Sequence, residues 1–433
     1  MTTINLYFKQ AWQLMKQNRF FSTVYIIGTG LAISMVMVLA VVYHIRTANI
    51  APEIHRDRMA YMAHVAYYYN ENKGRWSSSL GIRYVKEVIL KLKTPEAIAV
   101  TTDPIFQFIQ GGEMFAFVPG NDRQPKVLYL GCNDGFWKVF DFDFIYGKPF
   151  GKSDFESGVR TAVVCRSLAR QLFGKEDVAG QTLQLNEVEY RICGVVEDVS
   201  GTMESTYAQL WIPYTSMPGI MDESGGERAA TVGKLMAYAL LYDKKDFPVL
   251  KAEFDEVVKR YNTTLVEGQV KEAGIESSSF TIMGVKLSDA YFVIAVLLLL
   301  FLLVPALNIS GLNASHIQDR MAEIGIRKAF GAPRWTLFTQ IFVENLLLMF
   351  PASLAGLMFS YGLVAMYKNM LLANSYQNFV SGNLEPITLS AGMLLNWQVF
   401  LYATVVCLLL NLLSSMVPVW NALKVDIVNS LNK

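Results

Sequence analysis

Four stretches of this chain carry almost no charge and are long enough to cross a bilayer, and no other feature narrows the fold so far. A spanning helix needs about 20 apolar residues, because its backbone polar groups must be satisfied within the segment itself. The first stretch runs from Phe20 to Tyr43 and the second from Ala290 to about Leu312. The third runs from Phe338 to Tyr367, with Glu344 near its start, and the fourth lies within Pro386 to Leu423. Charged residues make up 17% of the 433 residues, against roughly 25% in soluble domains. The first stretch outruns a signal-peptide core, and no small-x-small cleavage pattern follows it, so it reads as a retained span.

Basic residues in the short flanks set the orientation. Lys9, Lys16 and Arg19 precede the first span with no acid among them, and Arg320, Arg327, Lys328 and Arg334 lie between the second and third. Both termini and the 313–337 loop are therefore expected in the cytoplasm, and residues 45–287 outside it. The resulting order is an amphipathic cytoplasmic helix (1–19), a first span (20–44), the external domain (45–287) and a second span (288–312). A cytoplasmic loop (313–337), a third span (338–367), an external loop (368–395), a fourth span (396–418) and a cytoplasmic tail (419–433) complete it. The first 19 residues read equally well as an ordinary positive flank. The fold class is thus four membrane helices with a large α+β external domain.

Within that domain, periodicity predicts strands at Met59–Tyr69, Ala97–Thr101, Met236–Tyr242 and Phe280–Met283, with helices at Leu80–Lys93 and Phe247–Tyr261. Between them lie predicted strands Ala162–Cys165, Thr182–Leu185, Tyr190–Val196 and Ala208–Ile212 and a helix Ser167–Phe173. The simplest arrangement is one α/β subdomain built from both ends, with a β-rich one inserted at its middle and crossings at Gly111-Gly112 and Gly225-Gly226. Cys132, Cys165 and Cys193 are odd in number for a disulfide framework, though one pair could still form. Cys165 and Cys193 read first as small buried hydrophobes.

The segment from Arg320 to Arg334 reads as a short charged helix with a sharp stop. Arg320, Glu323, Arg327 and Arg334 share a face, and Glu323 precedes Arg327 by four residues, the favourable order for an ion pair. Gly331 suits the left-handed closing position, and Pro333 forbids continuation. Such a helix has little apolar surface of its own and would be most stable docked on another protein. Prolines 305, 351 and 418 favour kinks in or beside the spans.

No GxxxxGK[ST], HExxH, CxxC or GxSxG motif occurs, so the chain itself reads as no enzyme and no ATP binder. His55 and His64 lack companions for a metal set, and a net charge of +1 gives no reason to expect nucleic-acid binding. Glu344, an acid inside a span, is a functional candidate by default. Its place near the cytoplasmic end favours the plainer reading of snorkelling, or of pairing with Arg334 or Lys328.

The 320–334 segment, followed by Gln340-Ile-Phe-Val-Glu344 and preceded by Asn308, resembles the signature of MacB/FtsX-type ABC transporter permeases. Gly147-Lys-Pro-Phe150, Ala162-Val-Val-Cys165, Leu172-Phe-Gly174, Val178-Ala-Gly180 and Tyr190–Val196 resemble the MacB periplasmic core domain. The tail Val417-Pro-Val-Trp-Asn-Ala422, then Lys424-Val-Asp426, is similar to the family's end, except that Ile427 stands where a proline is usual.

The resemblance implies two permease copies, identical or related, working with two copies of a separate ATPase that binds the ATP and magnesium. The coupling helix would dock on that ATPase, with Arg320, Met321, Glu323, Ile324, Gly325, Arg327, Lys328, Phe330 and Gly331 as its residues. Glu323, Arg327 and Lys328 would make polar contacts, and Met321, Ile324 and Phe330 would fill a groove or face the membrane. The spans would transmit motion to the external domain, whose two parts correspond to the family's porter and sabre subdomains. Export of a peptide, antibiotic or lipoprotein is the expected work, with an adaptor and outer-membrane channel as further possible partners. The alternative implied by the family is an FtsX-like scaffold that activates a cell-wall hydrolase and transports nothing.

Overall fold

The computed structural model describes residues 19–69, 73–103, 114–120, 124–277 and 333–372, with isolated positions at 12–17, 296, 326, 330–331 and 401–409. It divides into two units: residues 45–287 with 372–389, and the remainder.

The second-named unit holds two helices apolar and long enough to cross a membrane, α1 (Arg19–Thr47) and α8 (Arg334–Leu372). The second and fourth expected spans lie outside the described residues apart from isolated positions. Ile33, Val36 and Met37 of α1 pack with Met349 of α8. The helices approach through small residues, as membrane helices do when van der Waals contact is the main attraction. A Cβ on Gly356 would stand 2.8 Å from the Gly30 carbonyl oxygen and 2.9 Å from the Ile33 Cβ. Ser353 and Ser360 donate their hydroxyls back to the Met349 and Leu357 carbonyls, so neither leaves a polar atom unpaired. Backbone dihedrals leave the helical range at Tyr367 rather than at the expected kink site, Pro351.

The α+β unit is organised by one mixed sheet of fifteen strands among the described residues; eleven follow the path β14-β2-β3-β13-β4-β6-β11-β8-β10-β9-β5, and β1, β7, β12 and β15 pair beside it. Its strands are β1 (Met59–Met62), β2 (Val65–Tyr69), β3 (Gly74–Leu80), β4 (Ala97–Thr102), β5 (Ala116–Phe117), β6 (Tyr129–Cys132) and β7 (Phe144–Gly147). Then follow β8 (Thr161–Cys165), β9 (Thr182–Leu185), β10 (Val188–Val196), β11 (Leu210–Pro213), β12 (Val232–Gly233), β13 (Leu235–Leu240), β14 (Gly268–Ala273) and β15 (Glu276–Ser277). The longer helices between them are α2 (Ile82–Glu87), α5 (Arg166–Phe173), α6 (Gly226–Thr231) and α7 (Phe247–Asn262); α3 (Phe136–Val139) and α4 (Lys152–Glu156) are single turns. Pairing is antiparallel except for β6 with β11 and β8 with β10, each joined by a long crossover.

Two hydrophobic cores meet on β1 and β13, which pair from Met59↔Leu240 to Met62↔Ala237. Met59, Tyr61, Tyr238 and Leu240 enter one core; Ala60, Met62, Ala237 and Ala239 enter the other. Successive strand residues face opposite sides, so the cores lie on opposite faces here. That explains the unbroken apolar runs in both strands: with both faces covered, neither needs polar alternation. One core draws mainly on residues 114–212, the other on both ends of the unit. The two parts are nevertheless one sheet and not separate bodies, because β4 pairs with β6 and β6 with β11. Buried Asn133 staples that junction: its side chain accepts from the Val100 N–H at 2.9 Å and donates to the Ile98 carbonyl at 3.1 Å.

Other expectations need correction. The single strand Met59–Tyr69 is two strands, β1 and β2, with different partners. Helix Leu80–Lys93 is shortened to α2 and a following 3-10 turn, Ile89–Lys91, because Leu80 closes β3. Gly225-Gly226 starts α6 and is not a crossing. Gly111-Gly112 and the strand at 280–283 lie outside the described residues.

Two carboxylates tie helices to loops. Glu253 of α7 accepts from the Lys93 and Thr94 N–H groups, and Glu227 of α6 from those of Val266 and Glu267. In each case burial pushes the carboxyl up, but these hydrogen bonds outweigh it and hold the group below its usual range. Their stabilisation is therefore complete above the unfolded carboxyl range, about pH 4.3, and is lost as pH falls through the lower folded values. The melting midpoint of the purified chain should drop on acidification below that point, and Glu253→Gln should flatten the dependence. For the helix pair, Gly356→Leu should lower the chain's thermal midpoint in detergent by an amount equivalent to about 1–3 kcal/mol. Gly28→Ala, with nothing within 4 Å of its Cβ, should leave it unchanged.

Candidate functional site

The segment expected to couple to an ATPase is described at its C-terminal end. The Phe330 N–H donates to the Ile326 carbonyl at 3.1 Å, closing a helical turn. Gly331 follows with φ of +82°, the left-handed region that L side chains enter only at a cost of about 1–2 kcal/mol. Nothing lies within 4 Å of where its Cβ would be, so conformation and not space demands glycine. After Pro333, α8 begins at Arg334. The stop that the sequence signals thus has the expected geometry. Phe330 is 89% exposed and Ile326 49%, leaving two apolar side chains open at the end of the turn. Burying such a ring against a partner is worth about 2 kcal/mol. Arg320, Met321, Glu323, Ile324, Gly325, Arg327 and Lys328 lie outside the described residues.

A second site was not foreseen, although it begins immediately after the first span. The last carbonyls of an α-helix have no partner within it. At the end of α1 they find Arg56, whose Nη1 donates to the Ile45 oxygen at 2.8 Å and the Ala48 oxygen at 3.2 Å. A cation here also suits the negative end of the helix dipole. Arg56 Nε donates to Glu53 Oε2 at 2.7 Å, and Nη2 reaches the Met203 sulfur at 3.0 Å. Glu53 Oε1 accepts from the Ser205 N–H and the Thr206 hydroxyl, both at 3.0 Å. The two charged side chains are 2% and 1% exposed. Burial works against the charge on Arg56, but the adjacent Glu53 carboxylate outweighs it and raises the guanidinium above its ordinary range.

The 200–206 turn that Glu53 holds is itself fixed. The Met203 carbonyl accepts from the Tyr207 N–H, and the Thr206 carbonyl from the indole of fully buried Trp211 on β11. Ser205 shares a hydrogen bond of 3.0 Å with Tyr61 of β1, and the Asp141 N–H donates to the Pro52 carbonyl. One ion pair therefore joins a helix end and the 200–206 turn, which Ser205 links to Tyr61 of β1.

Cys132, Cys165 and Cys193 are free thiols. Burial pushes Cys132 well up, and raises Cys165 and Cys193 to about 12, so all three stay protonated and unreactive at neutral pH. Among the described residues, no three His, Cys, Asp or Glu side chains come together as a metal set. His64 instead shares a 2.6 Å hydrogen bond with Ser77.

Residues 22–257 match the MacB-like periplasmic core domain, and residues 295–427 the FtsX-like permease C-terminal domain. The chain belongs to the MacB/FtsX-type family of ABC transporter permeases, and its sheet-bearing unit is the α+β extracellular domain of that family. It is 23% identical over 311 residues to an uncharacterized ABC transporter permease, YknZ, of Bacillus subtilis, covering 72% of this chain and 71% of that one. It is 22% identical over 368 residues to the pyoverdine export ATP-binding/permease protein PvdT of Pseudomonas savastanoi, covering 82% of this chain and 51% of PvdT. It is 23% identical over 255 residues to macrolide export protein MacB 2 of Aeromonas hydrophila, covering 58% of this chain and 38% of that one. The chain therefore spans about half or less of the relatives named as ATP-binding/permease proteins. The solved periplasmic region of MacB from Actinobacillus actinomycetemcomitans aligns at a TM-score of 0.36 and 15% identity, over 52% of this chain and 90% of that one. The extracellular domain of YknZ aligns at 0.33 and 15%, over 48% and 100%.

Removing one partner from a buried ion pair strands the other, at a cost of about 3–5 kcal/mol. Arg56→Ala should lower the unfolding free energy by that amount. Arg83→Ala, which breaks the partly exposed pair with Glu87, should cost less than about 1 kcal/mol. Paired thermal melts of the purified variants measure the contrast.

Proposed function

We propose that this chain is the membrane subunit of a transporter in which a separate ATPase drives conformational work outside the cytoplasm. In this reading it crosses the membrane four times with both termini inside, pairs with a second copy or a related permease, and holds the α+β domain outside. The observation that carries the proposal is the pairing of two family domains, at 22–257 and 295–427, in a chain that contains no phosphate-binding loop. ATP and magnesium then belong to the partner. The relatives named for pyoverdine and macrolide export support export as the work, and the cargo in this reading is a peptide, antibiotic or lipoprotein.

The coupling contact is assigned to residues 320–331. Exposed Phe330 and half-exposed Ile326 suit a groove on the ATPase, and the left-handed Gly331 ends the helix where α8 must start. Glu323, Arg327 and Lys328 supply the polar rim. Glu323→Lys should abolish co-purification of the ATPase while leaving the chain inserted in the membrane at its normal level. Retention of a fully active ATPase by that variant would remove the coupling assignment. An adaptor and outer-membrane channel extend the scheme to a tripartite pump.

A further inference from the structure

We propose that Glu53 and Arg56 form the mechanical joint through which the first membrane helix acts on the external domain. This rests on the transmission reading above and goes beyond it by assigning the step to two positioning residues. A helix can move a sheet only through contacts that do not slip. Most contacts around a helix end are apolar and non-directional, and tolerate sliding by fractions of an ångström. The Arg56 fork differs. It holds two backbone carbonyls at the end of α1 and, with the same planar group, the carboxylate of Glu53.

From Glu53 the connection continues without a flexible element. The carboxylate takes the Ser205 N–H and the Thr206 hydroxyl, and Thr206 is held by the buried indole of Trp211. Trp211 lies on β11, which pairs with β6 and β8 in the middle of the sheet. A displacement of the α1 end therefore arrives at β11 by directional bonds alone. The chain's own covalent route, from Thr47 to Met59, is turns, one isolated bridge between Ile50 and Glu53 and the 3-10 turn Arg56–Arg58, with no longer helix or strand.

The pair is also an unusual choice if stability were its only purpose. A buried ion pair is often matched or bettered by well-packed apolar residues of similar volume. That offers a clean test, because the double variant Glu53→Leu/Arg56→Met removes the directional link without stranding a charge. The full complex, with its partner ATPase in lipid nanodiscs, is compared with and without Mg-ATP plus orthovanadate. Hydrogen exchange in β6, β8 and β11 reports the external response, phosphate release reports hydrolysis, and thermal melting reports folding.

The expected result is a nucleotide-dependent change in exchange in the native complex that falls by about fivefold or more in the double variant, at near-native hydrolysis and melting. An undiminished external response in a folded double variant overturns the joint and leaves the transmission reading standing. A native complex whose external strands ignore nucleotide overturns the transmission reading itself, and the joint with it. Should the double variant melt early, Arg56→Lys decides. It keeps the charge beside Glu53 but cannot hold carboxylate and carbonyls in one plane, so a reduced response is expected and a full one overturns the proposal.

Discussion

A charged pair with almost no exposure, Glu53 with Arg56, ties the Ile45 and Ala48 carbonyls to the 200–206 turn within the α+β unit. Taking both charges out of water is costly, and the cost is offset only because each finds several partners. Arg56 completes the backbone of a helix that ends at Thr47, and Glu53 completes the backbone of the 200–206 turn. The rest of the unit is arranged so that this one cluster touches β1 through Tyr61 and β11 through Trp211.

The sheet makes that attachment consequential. β1 and β13 are buried on both faces and belong to both cores, so they hold the two parts of the unit together. Asn133 closes the seam between β4 and β6 with hydrogen bonds in both directions. Tyr61 and Tyr238 add an edge-to-face contact at 5.0 Å, and Tyr238 another with Phe140 at 5.5 Å. Close-packed interiors transmit strain and do not absorb it. In the membrane unit, small residues bring α1 and α8 into direct backbone contact at Gly30 and Gly356.

Much of this was legible in the sequence where the signal is local. Apolar periodicity gives Thr182–Leu185 as observed and Ala162–Cys165 and Phe247–Tyr261 to within one residue of β8 and α7, and the left-handed stop at Gly331 follows from a glycine two residues before a proline. β3, with the sequence Gly-Arg-Trp-Ser-Ser-Ser-Leu, was hidden because its polar residues are held in register by β2 and not by their own propensity. β14 was hidden for a similar reason: Lys271 and Glu272 are the charges that protect an edge strand. The break between β1 and β2 falls at Ala63-His64, where His64 alone interrupts an apolar run that reads as one strand. Glu53 and Arg56 did leave a signal, an acid and a base three residues apart directly after a span. Their real partners, at 203–206, lie about 150 residues away and follow only from the fold. Of the segment 320–331 only Ile326, Phe330 and Gly331 are among the described residues, so its proposed docking role rests on sequence.

A membrane subunit whose sequence holds no phosphate-binding loop must work, in the proposed reading, with a separate ATPase. The most direct measurement is purification of the tagged chain from native membranes at native expression level, with every co-purifying protein identified and quantified. The account predicts an ABC-type ATPase subunit in an amount equal to the chain, retained through detergent exchange. Recovery of the intact, membrane-inserted chain with no ATPase, whether nucleotide is present or absent, would contradict it.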